Sequence, residues 1–219
     1  MGLSKIRIDN TCIQKIIRNS EYNIITSNYG ISGFSTGNDC GKVRFLANSQ
    51  TRLDVITQDI NNLSFSFSDA SFRIDNMGFG IVHSDGTKIS IKSMIRNSNN
   101  ILAEIIAVIL TVLTYKGNKK LIVVSDCSAI TMVILNFKKY THESIYISIL
   151  RYLIKSGRVI LLFVGRTACR YNILADSLSK ISNRNQIKYI NLRNIIVKVG
   201  SMGLINGFLR EMYGSLHFN

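Results

Sequence analysis

The stretch Leu63-Ser-Phe-Ser-Phe-Ser-Asp-Ala-Ser-Phe72 alternates phenylalanine with serine, and a period of two is the mark of a β-strand whose side chains point to opposite faces. Phe65 and Phe67 then share one face, Ser66 and Ser68 the other, and Asp69 stands where the alternation stops, at the end of the expected strand. Two further strand-like runs follow, Met77 to Ser84 and Thr87 to Met94, joined by Asp85-Gly86. Asp-Gly between alternating runs is a strong hairpin signal, so three consecutive antiparallel strands are expected here.

From Asn99-Asn100 the period changes. An apolar helix is expected over Ile101 to Tyr115, stopped by Gly117, then a buried strand over Leu121 to Ser125. Helices follow over Ser128 to Phe137 and Glu143 to Lys155, the second stopped by Gly157. A strand over Val159 to Val164 and a helix from Tyr171 to Ile181 complete the set. The order βββαβααβα describes an α/β fold with a five-stranded mixed sheet, three antiparallel strands and then parallel additions carried by helical crossovers.

Four carboxylates stand in apolar runs within this region: Asp69, Glu104 inside Ile101 to Leu110, Asp126 closing Leu121-Ile-Val-Val-Ser-Asp126, and Asp176 in Asn172-Ile-Leu-Ala-Asp-Ser-Leu-Ser-Lys180. Each has a plain structural reading. Asp69 could be a turn residue at a strand end, Asp126 a helix cap, and Asp176 a first-turn acid favoured by the helix dipole. Glu104 has no exposed face around it, and a lone buried glutamate is costly. Four acids in such settings call for a cation that holds them together.

The whole chain carries 27 basic against 13 acidic residues, a net charge of +14, which favours an anionic partner, nucleic acid or an acidic membrane surface. Scarcity of acids makes four of them in apolar context more telling. The 219 residues fit one domain with extra segments, and 46% hydrophobic content suffices for a core. Cys12, Cys40, Cys127 and Cys169 are widely spread and only three histidines are present, so zinc-ligand spacing is absent and reduced thiols in an intracellular protein are expected. The start has no apolar leader, and Ile6 stands where a myristoylation signal wants Ser or Thr. The longest apolar run is broken by Glu104 and falls short of the ~20 residues of a membrane span.

These residues resemble the type 1 ribonuclease H domain, in the branch found in retroelements and plant genomes. The resemblance rests on Ser68-Asp-Ala-Ser71, Gly78-Phe-Gly80, Ala103-Glu104 with Ala107, Ser125-Asp126 after an apolar strand, and Asn172 to Lys180. It implies that Asp69, Glu104, Asp126 and Asp176 are catalytic carboxylates that bind two Mg²⁺ or Mn²⁺ ions, with Asp69 touching both. It further implies hydrolysis of the RNA strand of an RNA/DNA hybrid, leaving 3′-hydroxyl and 5′-phosphate ends. Hard divalent ions prefer oxygen ligands, and a pair of them can hold attacking water and leaving oxygen in line.

Departures from the pattern shape the rest of the reading. Arg166 stands where many members of the family carry a loop histidine, as the retroelement and plant branch tends to show; a guanidinium cannot relay protons near neutrality. His83, in the hairpin, and His142 are read as surface residues. The basic helix of the bacterial type is missing, with only Phe137-Lys-Lys-Tyr-Thr-His142 in its place. Phosphate contacts are therefore assigned to Arg73, Lys92, Arg96, Arg166 and Arg170, and hybrid recognition to the serine-rich first strand with Ser71 and to Asn97 through Asn100. Asn172 is expected to cap the last helix or orient its entry.

Three segments result: an N-terminal arm over 1–61, a ribonuclease H-like domain over 62–183 expected to fold alone, and a basic extension over 184–219. In the arm, Cys12 to Ile17 has helical spacing, Tyr29 to Gly41 reads as loop, and Lys42 to Leu46 as a short strand. The arms could belong to a reverse-transcriptase-like parent or meet such a partner. The alternative function is a catalytically weak, retroelement-derived nucleic-acid-binding module on the same fold. A proofreading exonuclease fits less well, since that family wants Asp-x-Glu and Ser71 follows Asp69-Ala70.

Overall fold

The computed structural model describes residues 11–18, 22–28, 30–36, 44–51, 62–73, 76–93, 99–135, 145–180 and 188–189. In chain order these form α1 (Thr11–Arg18), β1 (Tyr22–Asn28), β2 (Ile31–Thr36), β3 (Arg44–Asn48), β4 (Leu63–Arg73), β5 (Asn76–His83) and β6 (Lys88–Ser93). Then come α2 (Asn100–Thr114), β7 (Lys120–Ser125), α3 (Ala129–Leu135), α4 (Ile145–Lys155), β8 (Val159–Phe163), α5 (Arg170–Lys180) and β9 (Lys188–Tyr189). From β4 to α5 the order is the expected one.

The sheet is larger than expected. Among the described residues nine strands join in the order β1-β2-β3-β8-β7-β4-β5-β6-β9, not five. The five expected strands lie in the middle as β6-β5-β4-β7-β8, with β4, β5 and β6 antiparallel and β4, β7 and β8 parallel. The N-terminal segment adds three strands on one side, because β3 pairs antiparallel with β8 from Arg44 opposite Phe163 to Leu46 opposite Leu161. On the other side β9, from the basic extension, pairs parallel with β6. Within Tyr29 to Gly41, expected as loop, Ile31–Thr36 is a strand.

Both faces of the sheet are covered. On one face α2, α3 and α4 bury Met77, Phe79, Ile81, Leu121, Val123, Leu161 and Phe163; on the other, α1 and α5 cover Phe65, Phe67, Val82, Ile122, Val124, Ile160 and Leu162. Runs such as β8, apolar throughout, are what a strand buried on both faces requires. Ile13 and Ile17 of α1 and Phe45 of β3 belong to this second core, so the N-terminal segment shares the apolar interior.

Local chemistry accounts for the joints. Gly86 adopts φ 86°, which suits a turn, and Asp85 Oδ1 accepts from the Thr87 backbone N–H at 2.8 Å. Asn99 caps α2, its Oδ1 accepting from the Leu102 N–H at 2.8 Å. Buried Arg151 of α4 donates to the carbonyls of Val133 and Ile134 at 3.2 and 2.6 Å, satisfying the last turn of α3.

The glycines of Gly78-Phe-Gly80 are there for close approach. A Cβ on Gly78 would stand 1.9 Å from the Ser179 carbonyl oxygen, and one on Gly80 1.9 Å from that of Ala175. Helix α5 thus lies directly on the β5 backbone, which fixes where its Asp176 and Ser179 stand.

Candidate metal centre

Parallel pairing brings two of the acids level. The β4–β7 register runs from Leu63 opposite Lys120 to Phe67 opposite Val124, so Asp69 and Asp126 each lie two residues past the last pair. β4 itself continues to Arg73 on β5 alone, with Asp69 opposite Gly80. Asp69 is therefore inside a strand, not at its end, and sits where β4 and β7 part.

Glu104 comes to the same place from α2, with the small buried residues Ala103 and Ala107 beside it on that helix. Carboxylate oxygens of Asp69, Glu104 and Asp126 all lie within 4.8 Å of one another. Asp69 and Glu104 are buried and Asp126 is half-buried.

Burial and mutual repulsion set their proton affinities. The Glu104 carboxyl is pushed from 4.5 up to about 9, first by burial and then by the Asp69 and Asp126 charges; a backbone hydrogen bond with Ala70 and the Arg166 charge work the other way. Asp69 rises from 3.8 to about 6 by burial, opposed by a hydrogen bond from Ser179. Ser179 Oγ reaches Asp69 Oδ2 at 2.7 Å. Burial and the Glu104 charge also push the Cys127 thiol up to about 11.

A cation fits this set of donors. Three hard carboxylates converge from three separate elements, and among the described residues the buried Glu104 Oε2 has no hydrogen-bond partner. A buried oxygen left unpaired is costly, and opposite charge is what would lower both raised pKa values.

Asp176 lies apart from that trio. It is on α5 two turns past the helix start, not in the first turn, and Arg166 Nη2 donates to its Oδ1. Lys180, one turn on, stands 2.7 Å from Oδ1 and 2.8 Å from Oδ2. Asn172 is buried in α5 and does not cap it; its Nδ2 lies 3.5 Å from the Arg166 carbonyl, which orients the entry loop.

Other expected contact residues fare differently. Ser71 Oγ donates to the Ser179 carbonyl at 2.5 Å, joining β4 to α5. The serines of the first strand face inward: Ser64 bonds Ser84 at 2.7 Å, Ser66 bonds His83 Nδ1 at 2.8 Å, and Ser68 is buried. They are not a surface for 2′-hydroxyls. Arg73, Asn100 and Arg170 are exposed, whereas Arg96, Asn97, the 137–142 segment with His142, and the extension beyond Tyr189 lie outside the described residues.

His83 is buried, contrary to the surface position expected. Its Nε2 meets Thr114 Oγ1 at 3.0 Å, tying the hairpin to the end of α2, and burial lowers its pKa. Two residues that matter here were not singled out, Ser179 and Lys180; their spacing of three and four from Asp176 was the available signal.

No family model matches the chain, and no curated protein matches it. Among solved structures, RNase H1 from the halophilic archaeon Halobacterium salinarum is similar at 17% identity and TM-score 0.38, over 53% of this chain and 94% of that chain.

Proposed function

We propose that this protein is a metal-dependent endoribonuclease of the ribonuclease H type, hydrolysing the RNA strand of RNA/DNA hybrids. The observation that carries the reading is the convergence of Asp69, Glu104 and Asp126 from β4, α2 and the end of β7 to within 4.8 Å. Those three would hold Mg²⁺ or Mn²⁺, and the family resemblance adds Asp176 and a second ion. The ion supplies Lewis acidity toward a phosphodiester and a bound water of lowered pKa.

The chain's own groups do the rest. Ser179 fixes the rotamer of Asp69 through its hydroxyl, and the Ala70 backbone bond orients Glu104. Gly78 and Gly80 let α5 sit close enough for that hydroxyl to reach. Arg73, Asn100, Arg166 and Arg170 offer exposed donors for phosphates, and Asn97 is proposed with them.

The test is incubation with a labelled RNA/DNA hybrid, with duplex RNA and duplex DNA as controls, in Mg²⁺, Mn²⁺ or chelator. Cleavage confined to the RNA of the hybrid and abolished by chelator is expected. Cleavage that survives chelator, or that favours duplex DNA, would overturn the assignment.

A further inference from the structure

Among the described residues, Asp176 is the one acid of the four in an ion pair with cations of the protein itself. Arg166 and Lys180 both engage its carboxylate. The two cations are not equivalent. Lys180 is an i,i+4 neighbour on α5 itself and is as open to water as Arg166, so it is their origin in the chain and not their exposure that separates them. Arg166 arrives from the loop between β8 and α5, its carbonyl within reach of buried Asn172; its charge acts on Asp69, as that of Lys180 does, and on Glu104 as well. Its charge therefore bears on the trio as well as on Asp176, to which it is bonded.

We propose that Arg166 is a resident cation at the fourth carboxylate. Without nucleic acid the protein then takes one divalent ion, on Asp69, Glu104 and Asp126, and Asp176 accepts a second only when Arg166 transfers to a phosphate. The proposal rests on the metal reading above and adds regulation to it. Guanidinium binds carboxylate and phosphate through the same planar donors, so the exchange needs no change of protonation. Because linkage is reciprocal, phosphate binding and the second ion reinforce each other through this one side chain.

The experiment is a Mn²⁺ titration of the full chain without nucleic acid, counting free Mn²⁺ by electron paramagnetic resonance. Wild type, Arg166→Gln and the double variant Arg166→Gln/Asp176→Asn are compared. Arg166 is 53% exposed, so the fold should be unaffected, and equal urea midpoints in chelator check this. Expected are one tight ion in wild type, a second bound about tenfold more tightly in Arg166→Gln than in wild type, and loss of that second ion in the double variant. Two ions of equal affinity in wild type, or no change in Arg166→Gln, would overturn the resident-cation role while leaving the trio's site standing. Absence of any bound ion in all three proteins would overturn the metal reading itself.

Discussion

Glu104→Gln should make the metal-free protein more stable, although it removes a residue assigned to the site. The folded carboxyl titrates near 9 against an ordinary 4.5, so at neutral pH it is protonated when folded and ionised when unfolded. Folding must then take up a proton across an interval of about 2.5 pH units at about 1.4 kcal/mol each, a cost of about 3 kcal/mol at pH 7. The sign follows: a raised carboxyl pKa makes stability fall as pH climbs from 4.5 toward 9. Glutamine has the shape of the protonated acid and can donate to the neighbouring carboxylates, so it avoids most of that cost. Urea denaturation followed by circular dichroism in chelator should show the variant ahead by about 2–3 kcal/mol at pH 7, more at pH 8.5, and level with wild type near pH 4.5. Excess Mg²⁺ should stabilise wild type and do little for the variant, since an ion that binds only the folded state adds to its stability. A variant equal to or below wild type at pH 8.5 in chelator, with no pH trend, would refute the strained-carboxylate picture.

Three other outcomes follow from the packing. Gly80→Ala places a methyl against the Ala175 carbonyl and should cost about 3 kcal/mol or more by lifting α5; an unchanged melting temperature would mean the helix is free to move. His83, whose pKa is lowered by burial against the influence of Asp85, should withdraw stability as pH falls below its ordinary 6.5, because the unfolded chain then binds the proton more readily. That acid-side loss should be absent in His83→Gln, as read from urea midpoints between pH 7 and 5. Removal of residues 1–61 bares the β8 edge and takes Ile13, Ile17 and Phe45 out of the apolar cluster that also holds Ile160 and Leu162 of β8, so the shortened chain should keep its helical dichroism but self-associate in sedimentation; a stable monomer would make the N-terminal strands dispensable.

The central elements were legible because each announces itself locally. Asp85-Gly86 marks its hairpin, and the alternation in Leu63 to Phe67 marks its strand. What escaped depends on neighbours distant in sequence. Strand β2, Ile-Ser-Gly-Phe-Ser-Thr, has loop-like composition and is a strand because β1 and β3 pair with it. His83 looked exposed beside a turn and is buried because Thr114, at the end of α2, comes down over it. Ser64 and Ser66 of β4 read as polar surface, yet they are buried and spend their hydroxyls on Ser84 and His83. At the site, the three acids could be chosen from their apolar surroundings, but their level placement is a matter of strand register. The pairing of Asp176 with Arg166 spans a loop and has no periodicity to betray it.

The most direct measurement compares wild type with Asp126→Asn on one labelled RNA/DNA hybrid, recording binding and cleavage in the same Mg²⁺ solution. An amide oxygen is a poor ligand for a hard divalent ion, while phosphate contacts are made by the exposed basic residues. Equal hybrid affinity with cleavage lost in Asp126→Asn is the expected result, and wild-type cleavage by that variant would contradict the account.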